Sequence, residues 1–334
     1  MALFTKKSNT IEVLEQGTFY CSECGRLLQM AEYNALVANT CQFCNKTIFT
    51  PQKIGRFFLV EPIAVGGMGS VYRAYSANNP DQKFAVKILP RNRKDDPNLL
   101  QQLQEEVEVS TQLKSHVSIA NIVAAGYEDD EHYLAMEYID GERLDQRIQR
   151  LGQLSVDEAI LVGLRLLGAV AHVFSRGYLF RDMKPENVII TDDEGAFLFD
   201  FGICMRIEDA DSDQGDTIMG SPIYFPPERI LGEGERACSE IYSLGMVLYY
   251  AVKGENYFTS KEVMAIARQH VRHARLSNLE HKMKELDPQI AAVIDKMIRR
   301  EMDKRYQSFI QVEHDLLRVL RHRIQYKDDK SLTS

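Results

Sequence analysis

The chain has 334 residues, 45% of them hydrophobic and 26% charged, which suits one large domain or two unequal ones with a proper core. A net charge of −8 argues against non-specific nucleic-acid binding, which needs a cationic surface to displace counterions, so nucleic acid is not an expected partner. The longest apolar stretch, Ile160 to Phe174, is interrupted by Arg165 and has helical spacing, so it reads as a buried helix and no membrane span is expected. The first ten residues, MALFTKKSNT, lack the apolar core of a signal peptide, and a cytoplasmic location is the expectation.

Residues 1 to about 52 hold four of the six cysteines, as Cys21-x₂-Cys24 and Cys41-x₂-Cys44 with sixteen residues between the pairs. This is the spacing of a four-thiolate zinc site. An iron site or two disulfides are the alternatives, and a reducing compartment favours metal. The halves repeat each other, as Cys24-Gly25-Arg26 and Cys44-Asn45-Lys46. Gly and Asn tolerate positive φ, which turns backbone N–H groups toward the sulfurs, and Arg26 and Lys46 would offset the excess thiolate charge. The segment looks like a small zinc ribbon whose metal is a condition of its folding. Its basic residues (Lys6, Lys7, Arg26, Lys46) match its acidic ones (Glu12, Glu15, Glu23, Glu32) in number. Docking on the neighbouring domain or binding a protein partner is therefore expected. Cys204 and Cys238 stand alone and read as packed thiols.

From Arg56 to about Tyr138 come short β-rich runs, RFFLVEPIA, SVYRAYS, KFAVKIL, NIVAAGY and HYLAMEY, interrupted by a helical pattern over about Asn98 to Lys114. From Leu144 helices dominate, over Ser155–Ser175, Cys238–Val252, Pro288–Arg299 and Gln307–Arg321, before a polar tail (residues 322–334) expected to fray from Tyr326. A small β unit followed by a larger α unit reads as two lobes with a cleft between them.

Three segments carry chemistry. Ile63-Ala64-Val65-Gly66-Gly67-Met68-Gly69-Ser70-Val71 links two strands, and its glycines let backbone approach phosphate oxygens. Alone it could be an ordinary glycine-rich hairpin. Phe84-Ala85-Val86-Lys87 then ends an apolar strand on a lysine, where an unpaired ammonium would be costly. Glu106, or Glu105 with a small shift, faces inward beside Leu103 and Val107 as its carboxylate partner. The decisive segment is Tyr178-Leu179-Phe180-Arg181-Asp182-Met183-Lys184-Pro185-Glu186-Asn187, followed thirteen residues after Asn187 by Asp200-Phe201-Gly202. Phosphoryl transfer needs a carboxylate at the attacking hydroxyl, a cation near the γ-phosphate and oxygen ligands for magnesium. Asp182, Lys184, and Asn187 with Asp200 meet those needs in that order.

On these motifs residues 56 to about 321 resemble a complete serine/threonine protein kinase domain of the bacterial, eukaryotic-like type. The resemblance implies an α+β bilobal fold: a small β-rich N-lobe with one main helix and a larger α-helical C-lobe, here preceded by the ribbon. It implies ATP with Mg²⁺ (or Mn²⁺) as cofactors and proteins bearing Ser or Thr as substrates. ATP would be held by Ala64, Val65, Gly66, Gly67, Gly69, Val71 and Ala85, with Lys87 on the α/β-phosphates and Glu106 as its ion-pair partner. Met136 resembles the gatekeeper, and Glu137 and Ile139 would offer hinge backbone groups to adenine. Asp182 would be the catalytic base, Lys184 would sit at the γ-phosphate, and Asn187 and Asp200 would hold magnesium. Lysine two residues after the aspartate is typical of serine/threonine kinases.

Gly220-Ser221-Pro222-Ile223-Tyr224-Phe225-Pro226-Pro227-Glu228 resembles the substrate-side loop and Ala-Pro-Glu motif, and Arg305 the arginine that pairs with Glu228. The chain departs from the family at Ala64 (first glycine of the loop), Phe180 (histidine), Ser221 (threonine), Pro226 (alanine) and Glu240 (aspartate). Glu240 is one methylene longer than the aspartate whose carboxylate normally accepts backbone hydrogens from the catalytic loop, so a small adjustment is expected there. None of these changes removes a phosphate, metal or base residue. Phosphorylation of Thr217, four residues before Ser221, is expected to pair with Arg181 and order the loop. The acidic run Glu208 to Asp213 is the competing partner. A catalytically weak scaffold that binds ATP and protein partners is the alternative function.

Overall fold

β-Branched and aromatic residues crowd the chain between Gln52 and Glu137, and in the computed structural model of the protein they form a six-stranded antiparallel sheet. The strands lie in the order Gln52–Ile54, Phe57–Gly66, Gly69–Ser76, Asn79–Ile88, Glu131–Glu137 and Ile122–Glu128. The structure describes residues 11–66, 69–211, 220–260, 262–272 and 279–332; Gly67, Met68, Ser212, Asp213 and Thr217 lie outside them. The chain divides into two compact units, Met1–Val107 with Asn121–Tyr138, and Glu108–Ala120 with Ile139–Ser334.

In the first unit the two-residue period of the strands sorts side chains between faces. Phe57, Leu59, Phe84, Val86 and Tyr133 are buried together, with Phe84 and Tyr133 edge-on to Phe57. Leu134, on the opposite face, meets Leu89 and the helix residues Leu99 and Leu103 of Pro97–Gln112.

The cysteine segment belongs to the same unit. It forms two hairpins, Thr18–Tyr20 with Leu27–Gln29 and Ala38–Thr40 with Thr47–Phe49, and then supplies the edge strand Gln52–Ile54, which pairs with Phe57–Gly66. Phe58 is buried against Ile11, Leu14, Phe19, Leu28 and Ile48 of the cysteine segment, while Leu36 and Phe49 join the cluster around Phe57. Arg91 donates to the Ala35 carbonyl at 3.1 Å and to Glu131 at 3.0 Å. The change of composition near residue 52 is therefore not a packing boundary, and docking on the neighbouring domain is realised.

The second unit is built on Val156–Ser175, whose N-cap Ser155 accepts the Glu158 N–H at 3.2 Å. By length and composition this helix could cross a membrane. Here Ile160, Leu166 and Val170 are buried in the core, and the helix packs against Ala237–Lys253 and Phe309–Leu332. The helices Leu144–Leu151 and Val263–Arg272 were not marked by the sequence pattern. The last helix runs to Leu332, over residues expected to fray, because no Gly or Pro follows Phe309 to end it.

Candidate active site

In the first unit, Lys87 Nζ donates to Glu106 Oε2 at 2.7 Å, with both residues buried. Glu105 is exposed and accepts from Gln101, which settles the choice between the two glutamates. Strand register places Val71 opposite Lys87, Ala64 opposite Val71, and Ala85 opposite Met136. Val71, Ala85, Lys87 and Met136 therefore share one face. Met136 packs against the cluster of Leu89, Leu99 and Leu103. Gly66 faces Gly69 across the hairpin. At Gly69 (φ +143°) a Cβ would lie 2.4 Å from the Ile88 carbonyl oxygen, so the position accepts glycine alone. Ala64 follows a register shift in its strand but has no positive φ, so the missing first glycine costs no backbone strain. Val65 is exposed beside it. Glu137 exchanges hydrogen bonds with Asn121: its N–H donates to the Asn121 carbonyl at 2.9 Å, and Asn121 Nδ2 donates to its carboxylate at 3.0 Å. Ile139, half-buried, opens the second unit.

Asp182, Lys184 and Asn187 come together in that second unit. Asp182 is buried, and its Oδ2 accepts from Lys184 Nζ at 2.6 Å and from Asn187 Nδ2 at 2.7 Å. Asn187 Nδ2 also donates to the Asp182 carbonyl at 3.0 Å. With the amide nitrogen so committed, its carbonyl oxygen is the atom left for a cation. The hairpin Val188–Ile190 with Ala196–Leu198 continues as Phe199 N–H to the Asn187 carbonyl, 3.2 Å, which brings Asp200 to the end of the hairpin that carries Asn187. One amide oxygen and one carboxylate fit the hard, octahedral Mg²⁺, which keeps water and phosphate oxygens as its other ligands. Phe180 is fully buried and edge-on to Phe201 at 5.5 Å, so an aromatic ring replaces the family histidine by packing.

Gly220 (φ +111°) was not singled out beyond its motif. A Cβ there would meet the Phe225 ring at 2.9 Å and Asp182 Oδ1 at 3.4 Å. Glu228 and Arg305 form a buried bidentate pair at 2.7 and 2.8 Å, as the motif implied.

Arg181 has φ +68°, an uncommon conformation outside glycine. Its N–H donates to Glu240 Oε1 at 2.9 Å, so the longer side chain does reach the loop. Its Nε donates to Glu235 Oε1 at 2.8 Å, and its carbonyl accepts from Arg229 at 2.7 Å. Glu208 pairs with Arg206, and Thr217 lies outside the described residues. Neither Glu235 nor Arg229 belongs to a motif, and sequence reading missed both.

Glu240 Oε2 has no hydrogen-bond partner among the described residues. Burial pushes this carboxyl up to about 7; the Arg181 N–H, Arg229 and Arg181 oppose that rise, and Glu235 adds to it. A raised carboxylate gives stability that is present at low pH and lost as pH rises through about 7. The second unit is thus expected to lose on the order of 3 kcal/mol between about pH 5 and pH 8 from this group. Glu240→Gln should flatten that part of the profile, as read by thermal unfolding across pH.

The four cysteine sulfurs lie within 4.8 Å of one another, at 3.8 Å for Cys21–Cys44 and 3.9 Å for Cys24–Cys41. A tetrahedral zinc with Zn–S bonds of about 2.3 Å requires S···S distances of about 3.8 Å, so the cluster fits the ion. Gly25 and Asn45 have φ +66° and +57°, as the repeat implied. Their N–H groups donate to the Cys21 and Cys41 carbonyls at 3.0 and 2.9 Å. Burial raises the Cys41 thiol, but the N–H groups of Phe43 and Cys44 and the Cys44 and Cys21 thiols bring it down to about 7. The Lys46 N–H lowers the Cys44 thiol, but burial and its contacts with Cys41, Cys24 and Cys21 push it up to about 12. Arg26 lies over the Phe43 ring at 4.8 Å. Cys204 packs against the core of the second unit and Cys238 is buried.

The family described as protein kinase domain matches residues 57–317. The chain is 28% identical over 268 residues to a probable serine/threonine-protein kinase of Clostridium perfringens, covering 79% of this chain and 38% of that protein. It is 32% identical over 223 residues to serine/threonine-protein kinase PknA of Mycobacterium tuberculosis (65% and 51%). To PrkC of Bacillus subtilis it is 28% identical over 262 residues (78% and 40%). The matched part thus spans about half or less of each relative's own length. The chain belongs to the protein kinase family.

Proposed function

We propose that the chain is an ATP-dependent protein serine/threonine kinase that phosphorylates Ser and Thr hydroxyls of protein substrates, itself among them, in a signalling role. The observation that carries this reading is the trio Asp182, Lys184 and Asn187, bonded within 3.0 Å of one another in the catalytic loop. Asp182 orients and deprotonates the attacking hydroxyl, and Lys184 lies beside it to neutralise the phosphoryl oxygens as charge develops. Asn187 and Asp200 hold Mg²⁺, or Mn²⁺, which supplies charge neutralisation along the phosphates when bound. Lys87, oriented by Glu106, binds the α/β-phosphates, and Met136, Glu137 and Ile139 bound the adenine site. The cysteine cluster holds a structural zinc. Four cysteines gathered for a metal suit a cytoplasmic location.

Incubation of the full chain with Mg·ATP should yield phosphoserine or phosphothreonine on the chain. Asp182→Asn should lower the initial rate by about a hundredfold or more while ATP still binds. Binding without transfer in the unmutated chain would favour a scaffold instead.

A further inference from the structure

Arg181 precedes the catalytic Asp182, and its backbone and side chain are held from one segment of the same unit. Its N–H goes to Glu240, its carbonyl to Arg229 and its Nε to Glu235. Glu235 is itself buried, and Arg229 donates to both of its oxygens, through Nε at 3.0 Å and through a terminal nitrogen at 2.5 Å. Arg229 also lies over the Phe225 ring at 4.9 Å, and Phe225 abuts Gly220, next to Asp182. Two guanidiniums this close would repel in a buried setting, and a shared carboxylate removes that repulsion.

We propose that Glu235, gripped by Arg229, is the built-in counter-charge of Arg181, and that this pair positions the catalytic loop without a phosphate on the activation segment. The inference rests on the kinase reading. Glu235 and Arg229 are positioning residues: they act on Asp182 through the main chain of Arg181, whose left-handed backbone would relax without them. Among the described residues all three contacts come from residues 229 to 240, and none of them involves a modified residue. Phosphate at Thr217 would then add little to the rate.

The test uses the full chain freed of phosphate and verified by mass, with two readouts: initial-rate kinetics on a generic basic protein, and amide exchange over residues 180–184. Phosphate-free Thr217→Ala should show no lag and a kcat within about twofold of the phosphorylated wild type. Glu235→Gln should lose kcat by about tenfold or more, with the KM for ATP changed less than about twofold, and with faster amide exchange in the loop. Glu235→Asp should recover part of both. A phosphate-free chain that stays inactive until Thr217 is phosphorylated would overturn the proposal. So would Glu235→Gln with unchanged kcat and exchange. If the wild type transfers no phosphate in either form, the kinase reading fails, and the exchange comparison alone decides whether Glu235 holds the loop.

Discussion

Lys87→Met should lower the proposed phosphoryl transfer by about a hundredfold to a thousandfold while its unit stays folded. The ammonium is buried, 2.7 Å from Glu106, at the end of a strand paired on both sides. Methionine keeps the length and apolar stem of lysine, so the sheet should tolerate it. What is lost is a fixed positive charge at the position expected to meet the phosphates. Glu106→Gln keeps the lysine but frees it from its carboxylate, and about a tenfold loss is expected. The double variant should be no worse than Lys87→Met alone, because the glutamate acts through the lysine. Steady-state kinetics of the three proteins, with circular dichroism to confirm folding, checks this.

The second large effect concerns the metal. Chelation, or Cys41→Ser, should unfold the cysteine segment and lower the thermal midpoint of the first unit by about 10 °C or more. The segment has a core of few residues, and Phe58 from the sheet completes it. Leu36 and Phe49 return the contact on the Phe57 side, and Gln52–Ile54 covers the edge of Phe57–Gly66. Loss of the knuckles therefore exposes sheet surface as well as ribbon. Zinc content measured beside the unfolding curve should fall in step with the midpoint, and Cys204→Ser should change neither.

Legibility in the sequence followed the range of each interaction. Asp182, Lys184 and Asn187 meet within six residues, so their chemistry is written in a short segment. Asn187 and Asp200 are joined by one hairpin. Glu106 against Glu105 was a question of helix phase, and burial answered it. The repeated Cys-Gly and Cys-Asn turns were legible because positive φ restricts residue type. By contrast, nothing local links Arg181 to Arg229 or Glu235, 48 and 54 residues away; only the fold of the second unit brings them together. Docking of the ribbon was expected, but its continuation into the sheet through Gln52–Ile54 was hidden in the same way. Composition changes near residue 52, whereas hydrogen bonding continues across it.

Transfer of label from γ-labelled ATP to a generic protein substrate, followed by identification of the phosphorylated amino acid, tests the kinase assignment most directly. The wild type should place label on serine or threonine in a Mg²⁺-dependent reaction, and Asp182→Asn should lose it. ATP bound with Mg²⁺ but no label transferred by the wild type, or equal labelling by Asp182→Asn, would contradict the assignment.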